Sequence, residues 1–198
     1  MTQMTQMKGI FADLICVHLR YLRLVFFVLA LASMVSPAWG QSPFDRSDTT
    51  PVVLVFVRTD CPISNRYAPE LERLYEAFAP KHVRFWLVYI DPDPSAADIR
   101  AHEDAFALRW PTLRDPHHEL VRTAGATVTP EAAVFVHSDN GWTRVYLGRI
   151  DDRYVALGTA RPAPTTHDLE RVLEAIVTGH VPDPTTTTAI GCFIEDVP

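Results

Sequence analysis

The stretch TDCPISNRYAPELERLYEAF (residues 59–78) places one cysteine between an apolar run and a segment with helical periodicity. The run before it, PVVLVFV (51–57), is continuously apolar and β-branched, which is typical of a strand buried on both faces. After the cysteine, apolar residues recur at spacings of three and four, which predicts an amphipathic helix. These apolar positions are Leu71, Leu74, Tyr75 and Phe78. The sequence therefore predicts a buried strand, a turn that carries Cys61, and a helix.

Strand and helix signals continue to alternate along the chain. The run VRFWLVYI (83–90) predicts a second buried strand, and Ser95 is a suitable cap for a helix in ADIRAHEDAFAL (97–108). The Asn-Gly pair of SDNGW (138–142) predicts a hairpin turn. The remaining predicted elements are a short helix at 118–124, strands at 132–137 and 143–150, and an amphipathic helix at 166–177. This order predicts an α/β fold in which a central mixed sheet carries helices on both faces.

The first 40 residues differ from the rest of the chain. Three basic residues precede the apolar run LVFFVLALASMV (24–35), which ends at the small and turn-forming residues SPAWGQ. This order is the pattern of a secretory signal peptide, with cleavage before Gln41. The alternative is a retained membrane anchor, although the apolar run is shorter than the roughly 18 residues that span a bilayer. We therefore predict a signal peptide (1–40), a leader (41–50), a domain (51–180) and a tail (181–198) in an exported protein of the bacterial periplasm, with no stable membrane insertion after cleavage.

Charge and cysteine count narrow the functional classes. The chain without its first 40 residues loses Lys8, Arg20, Arg23 and Asp13, which leaves a net charge of −8. An acidic surface argues against nucleic acid as a partner. The exported part retains two cysteines, at positions 61 and 192, and an even count in an oxidising compartment suggests that they pair. The pair is either permanent or part of a redox cycle.

The position of Cys61 favours a reactive thiol. The first turn of a helix presents backbone N–H groups without partners and a partial positive charge, and both stabilise a thiolate, the nucleophilic form of cysteine. Pro62 suits the first helical position and is expected to aim the sulfur outward. Arg58 and Arg66 would add positive potential, and Asp60 would oppose it. The alternative is an inert cysteine buried at a junction of strand and helix.

Two features resemble the thioredoxin superfamily over about residues 50–180. Cys61 lies just past the first buried strand, and Thr129-Pro130 precedes the hairpin strand, where that superfamily carries a proline opposite its reactive cysteine. More narrowly, DCPISNRYAPEL, VTPEAAVFV, GRIDDRY and GCFI are similar to exported redoxin-domain proteins related to alkyl hydroperoxide reductase and thiol-specific antioxidant. The resemblance implies a thioredoxin-like fold and a redox function for Cys61. It also implies that Thr129, Pro130, Pro62 and Ser64 contact the substrate.

The chain departs from its relatives at positions that matter for chemistry. Ser64 replaces the second cysteine of a dithiol oxidoreductase, which excludes disulfide cycling within the CPIS turn. Leu54 and Arg58 stand where a typical peroxiredoxin has proline and threonine or serine, which puts efficient peroxidase activity in doubt. Asn65 replaces the second cysteine of copper-delivering relatives. The histidines after residue 40 show no compact ligand spacing. We therefore predict no metal site and no cofactor.

Cys192 follows a segment rich in proline and threonine, VPDPTTTTAIG (181–191), which predicts an extended and mobile tail. The tail is long enough to bring Cys192 to Cys61. The residues thus predict a thiol-dependent redox protein in which Cys61 attacks protein disulfides or small peroxides and Cys192 resolves the intermediate. One alternative is that Cys192 pairs with another subunit. The other is a binding module without enzymatic activity, in which the cysteines staple the tail or hold copper.

Overall fold

The structure is a computed structural model that describes residues 42–45 and 47–195. The predicted signal peptide and its cleavage site before Gln41 lie outside these residues. The chain divides into two compact units, residues 1–42 and 43–198, and the second carries every element described below. Within the described ranges, no helix has the length and apolar character needed to cross a membrane.

The described residues of the domain form ten strands and four helices. In chain order the strands are β1 (Val52–Val57), β2 (Arg84–Tyr89), β3 (Thr112–Arg114), β4 (Val128–Thr129), β5 (Glu131–Ser138), β6 (Gly141–Gly148), β7 (Tyr154–Ala156), β8 (Thr159–Ala160), β9 (Thr185–Thr186) and β10 (Cys192–Phe193). The helices are α1 (Pro62–Phe78), α2 (Ala96–Ala105), α3 (Glu119–Ala124) and α4 (Asp168–Val177). A short 3₁₀ helix, Ala79–Lys81, follows α1.

A six-stranded mixed sheet in the order β3-β2-β1-β5-β6-β9 forms the centre of the domain. Strand β1 is parallel to β2 and antiparallel to β5, and all of its six residues are buried. Alternate β1 side chains therefore enter separate cores on the two faces of the sheet. Val53, Val55 and Val57 belong to one core, and Val52, Leu54 and Phe56 belong to the other. This confirms that the apolar run 51–57 is a strand covered on both faces.

Helices cover both faces of the sheet, as predicted. Leu71 and Leu74 of α1 share a core with Leu169 and Leu173 of α4. Val121 of α3 contributes to the core on the opposite face. The predicted α/β class, a central mixed sheet with helices on both faces, is thus confirmed. Ser95 also caps α2 as expected, in a reciprocal pair of hydrogen bonds with Asp98.

The tail is paired with the domain, which the sequence did not predict. Strand β9 extends the central sheet by pairing with β6, and β10 pairs antiparallel with β4. The sequence signal failed because each of these strands has only two residues, which is too short to show the period of two that identifies a strand. Strand β3 was also missed, since its three residues are all half-buried at the edge of the sheet.

Candidate functional site

Cys61 is the residue immediately before α1 and serves as its N-cap. The first helical hydrogen bond runs from the Asn65 backbone N–H to the Cys61 carbonyl, at 3.0 Å. The side chain of Cys61 is fully buried, whereas Pro62 is exposed. The expectation that the turn aims the sulfur outward was therefore wrong, because the segment around Thr129 and the tail both lie over it.

The Thr129-Pro130 segment lies directly against the cysteine. The peptide bond between these two residues is cis. The Cys61 thiol donates a hydrogen bond to the Thr129 carbonyl, with a distance of 3.1 Å between sulfur and oxygen. The structure thus brings together the two features on which the resemblance rested, although they are 68 residues apart in sequence.

Two buried hydroxyl groups surround the Cys61 sulfur. Ser64 is 3% exposed and Thr129 is fully buried, and neither hydroxyl has a hydrogen-bond partner among the described residues. Burial by itself would raise the pKa of the Cys61 thiol. Interactions with Cys192, Ser64 and Thr129 outweigh that effect, so that the pKa of Cys61 lies below its ordinary value. The two hydroxyls are therefore placed as donors to a thiolate.

The tail delivers the second cysteine to this site. In the pairing of β10 with β4, Cys192 lies opposite Thr129, and the Ile194 N–H donates to the Thr127 carbonyl at 3.0 Å. Burial and its interaction with Cys61 raise the pKa of Cys192 to about 12. Both cysteines are free thiols. The site thus combines an acidified thiol with a neighbouring thiol that keeps its proton.

Glycines allow the tail to approach the domain closely at two points. A Cβ atom on Gly191 would lie 2.2 Å from the Thr129 carbonyl oxygen, and one on Gly148 would lie 2.2 Å from the Thr187 hydroxyl. Thr187 also accepts a hydrogen bond from the Arg149 N–H, at 3.1 Å. The position of Cys192 is thus fixed by contacts on both sides of residues 188–190, and the tail is docked on the domain.

Arg58, which was expected to add positive potential near Cys61, is paired with carboxylates. The Arg58 guanidinium pairs with Asp60 at 3.0 Å and with Asp91 at 2.9 Å. Its positive charge is therefore shared by two carboxylates. Arg58 still acts on the tail, since it is one of the groups that lower the pKa of Cys192.

The predicted site residues occupy different kinds of position. Cys61, Ser64 and Thr129 lie together and are buried, and Pro130 is buried beside them, whereas Pro62 is exposed. The role of Thr129, Pro130, Pro62 and Ser64 in binding substrate stays a prediction.

The sequence analysis did not identify three further residues that contribute to the site, namely Gly191, Asn65 and His102. Asn65 lies in the cysteine motif itself, but nothing in the sequence links it to His102, 37 residues later.

A second cluster of polar groups lies away from the thiols. Glu70, Asp151 and His167 place ligand-type atoms within 4.8 Å of one another. Arg73 binds both carboxylate oxygens of Glu70, at 2.7 and 2.9 Å, and Arg153 lies 3.9 Å from Asp151. The Tyr67 hydroxyl of α1 donates to Asp151 at 2.5 Å, and this hydrogen bond joins the GRIDDRY loop to α1. We assign the cluster to that structural role.

Solved structures of other proteins are similar to this chain. An uncharacterized conserved protein from Geobacillus kaustophilus is 24% identical, with a TM-score of 0.62 over 76% of this chain and 79% of that one. A hypothetical protein from Sinorhizobium meliloti 1021 is 21% identical, with a TM-score of 0.61 over 76% and 81%. A secreted Mycobacterium tuberculosis disulfide oxidoreductase homologous to Escherichia coli DsbE is 18% identical, with a TM-score of 0.42 over 66% and 82%.

The first two structures share the fold of this chain. No curated protein sequence matches it. The model of the AhpC/TSA family matches residues 40–145, which is more than half of the chain and includes the Cys61 turn and the Thr129-Pro130 segment. The chain therefore belongs to the AhpC/TSA family.

Proposed function

We propose that this protein is an exported thiol-disulfide oxidoreductase that cycles between a Cys61/Cys192 dithiol and the corresponding disulfide. One observation carries the proposal: strand β10 seats Cys192 opposite Thr129, the residue whose carbonyl accepts the hydrogen bond of the Cys61 thiol, so that both cysteines meet at Thr129. Export is inferred from the pattern of residues 1–40 and from the pair of cysteines that remains after them.

The reaction uses the difference between the two thiols. The Cys61 thiolate attacks one sulfur of a substrate disulfide, which forms a mixed disulfide on Cys61 and releases the other half of the substrate as a thiolate. Cys192 then loses its proton and attacks the Cys61 sulfur. This step forms the Cys61–Cys192 disulfide and releases the second half of the substrate as a thiol. The substrate gains two electrons, and the protein loses them.

Disulfides fit the site better than peroxides. Arg58 occupies the position where a typical peroxiredoxin carries threonine or serine, and its guanidinium is bound to Asp60 and Asp91. Thr59 directs both its N–H and its hydroxyl to Asp91, at 3.0 and 3.3 Å. Both side chains are therefore already bonded to carboxylates, which leaves them less able to polarise a peroxide.

Access to Cys61 requires movement of the tail. The sulfur is fully buried, and Thr129 is paired with Cys192 in the docked state. Release of β10 would free the backbone of Thr129 to hold an extended substrate chain beside the sulfur, with Pro130 next to it. Protein disulfides are therefore the proposed substrates, since an extended chain can replace β10 on β4.

The proposal predicts distinct failures for the two cysteine variants. Cys61→Ser should not react with a short synthetic peptide disulfide, because the nucleophile is lost. Cys192→Ser should react once and stop, with one peptide attached to Cys61, because nothing resolves the mixed disulfide. Mass spectrometry of the protein after timed exposure distinguishes these products. The proposal is contradicted if Cys61→Ser still consumes the disulfide, or if hydrogen peroxide oxidises the wild-type protein much faster than the peptide disulfide does.

A further inference from the structure

Asn65 braces the turn that carries Cys61. Its backbone N–H donates to the Cys61 carbonyl at 3.0 Å, and its side-chain amide donates to the Thr59 carbonyl at 3.2 Å. One residue thus binds two carbonyl groups of the turn, on either side of Asp60. From the other direction, Asp91 accepts hydrogen bonds from the Thr59 N–H and hydroxyl. The conformation of the turn therefore depends on how the Asn65 amide is oriented.

His102 of α2 sets that orientation. Its Nε2 atom lies 2.8 Å from the Asn65 side-chain oxygen, and its Nδ1 atom lies 2.8 Å from the Tyr89 hydroxyl. Because the Asn65 nitrogen donates to Thr59, the Asn65 oxygen must accept, so His102 Nε2 carries the proton. Nδ1 then accepts from Tyr89. The hydrogen bonds form one directed chain from Tyr89 through His102 and Asn65 to the Thr59 carbonyl.

The surroundings keep His102 in this neutral form. Burial lowers the pKa of His102, although the nearby Asp91 carboxylate opposes the shift. Phe106 packs against the imidazole, with ring centroids 4.8 Å apart, and Tyr89 meets it edge-on at 5.5 Å. The ring is therefore held in place by aromatic contacts as well as by its two hydrogen bonds.

We propose that His102 and Asn65 are positioning residues for the Cys61 thiolate, in which the Nε2 proton of His102 fixes the Asn65 amide and the amide fixes the turn. This inference rests on the proposed function of Cys61 as a nucleophile. The positioning matters because Ser64, the residue before Asn65 in the same helical turn, is one of the groups that stabilise the thiolate. Loosening the turn would misalign that donor.

Two isosteric substitutions separate this role from simple packing. His102→Gln places an amide donor near the position of Nε2 and should retain the bond to Asn65. His102→Asn places its amide near the position of Nδ1 and should lose that bond. In a Cys192→Ser background, ultraviolet absorbance of the thiolate against pH reports the Cys61 titration without requiring reagent access. We expect His102→Asn and Asn65→Ala to lower the thiolate fraction near neutral pH about three- to tenfold, the worth of one hydrogen bond, and His102→Gln to keep the wild-type fraction.

Arg100→Ala, an exposed change on the same helix, is the matched control and should leave the titration unchanged. The inference is overturned if His102→Gln and His102→Asn titrate alike, or if the losses follow thermal stability rather than the Asn65 bond. If the His102 variants do not fold, Asn65→Ala serves as the test. An unchanged Cys61 titration in Asn65→Ala would also overturn the inference. The readout is independent of turnover. If the His102 variants shift the Cys61 titration as expected but the protein does not exchange disulfides, only the proposed function is contradicted.

Discussion

Gly191→Ala should slow formation of the Cys61–Cys192 disulfide by about 100-fold or more. A Cβ atom at this position would lie 2.2 Å from the Thr129 carbonyl oxygen and 2.7 Å from its carbonyl carbon. Both are backbone atoms of β4, next to Pro130, so the clash cannot be relieved by a side-chain movement. Strand β10 would have to leave β4, and Cys192 would then reach Cys61 only by random encounter. The loss corresponds to the effective concentration that docking provides.

Stopped-flow oxidation with one equivalent of a small disulfide measures this rate directly. The same variant should also gain reactivity toward an alkylating reagent at Cys61, because the strand that covers the sulfur is displaced. Thr188→Ala is the matched control, since Thr188 is an exposed residue of the same tail. Thr187→Ala removes the contact to Arg149 and should give an intermediate effect. Equal rates in wild type and Gly191→Ala would mean that docking of β10 does not determine the reaction.

Removing the two buried hydroxyls should raise the pKa of Cys61 and weaken its nucleophilicity near neutral pH. In Ser64→Ala combined with Thr129→Val, the thiolate loses two of the donors that lower its pKa, while burial continues to raise it. Each hydrogen bond to a charged group contributes roughly 1.5 to 3 kcal/mol. We therefore expect the rate of attack at neutral pH to fall at least about tenfold in each single variant and more in the pair.

The same change alters how stability depends on pH. A thiol whose pKa is lower in the folded state than in the unfolded chain stabilises the fold above the unfolded value, about 8.5. That contribution is lost as the pH falls through the folded value. Because the raised pKa of Cys192 acts in the opposite direction, the measurement uses the reduced Cys192→Ser protein, in which chemical unfolding on both sides of this window should show the effect, and a weaker one when both hydroxyls are also removed. Ser138→Ala, at an exposed hairpin position, is the control. An unchanged Cys61 titration in the double variant would show that these hydroxyls do not lower the pKa of Cys61.

The central part of the fold could be predicted because its signals are local. A continuous β-branched run identified β1, three- and four-residue spacing identified α1, and an Asn-Gly pair located the hairpin between β5 and β6. The juxtaposition of Cys61 with Thr129-Pro130 came from resemblance to a known superfamily. It could not come from the residues alone, since the pair is distant in sequence.

The rest of the site depends on contacts that produce no periodic pattern in the sequence. Strand β10 has two residues, and the need for glycine at position 191 is visible only when the Thr129 carbonyl is beside it. The same composition that predicted a mobile tail, rich in proline and threonine, supplies Thr187, which anchors it. The bond between Asn65 and His102 likewise depends on how α2 packs near the start of α1.

The most direct test of the central claim is the identity and redox behaviour of the disulfide formed by residues 41–198 after one equivalent of oxidant. Peptide mapping should find one bridge, within a single molecule, between Cys61 and Cys192. Equilibration in dithiol buffers of graded potential should reduce it reversibly, at a potential above the value of about −300 mV that is typical of structural bridges. A bridge between two molecules, or a Cys61–Cys192 bridge that resists these buffers until the protein unfolds, would contradict the account.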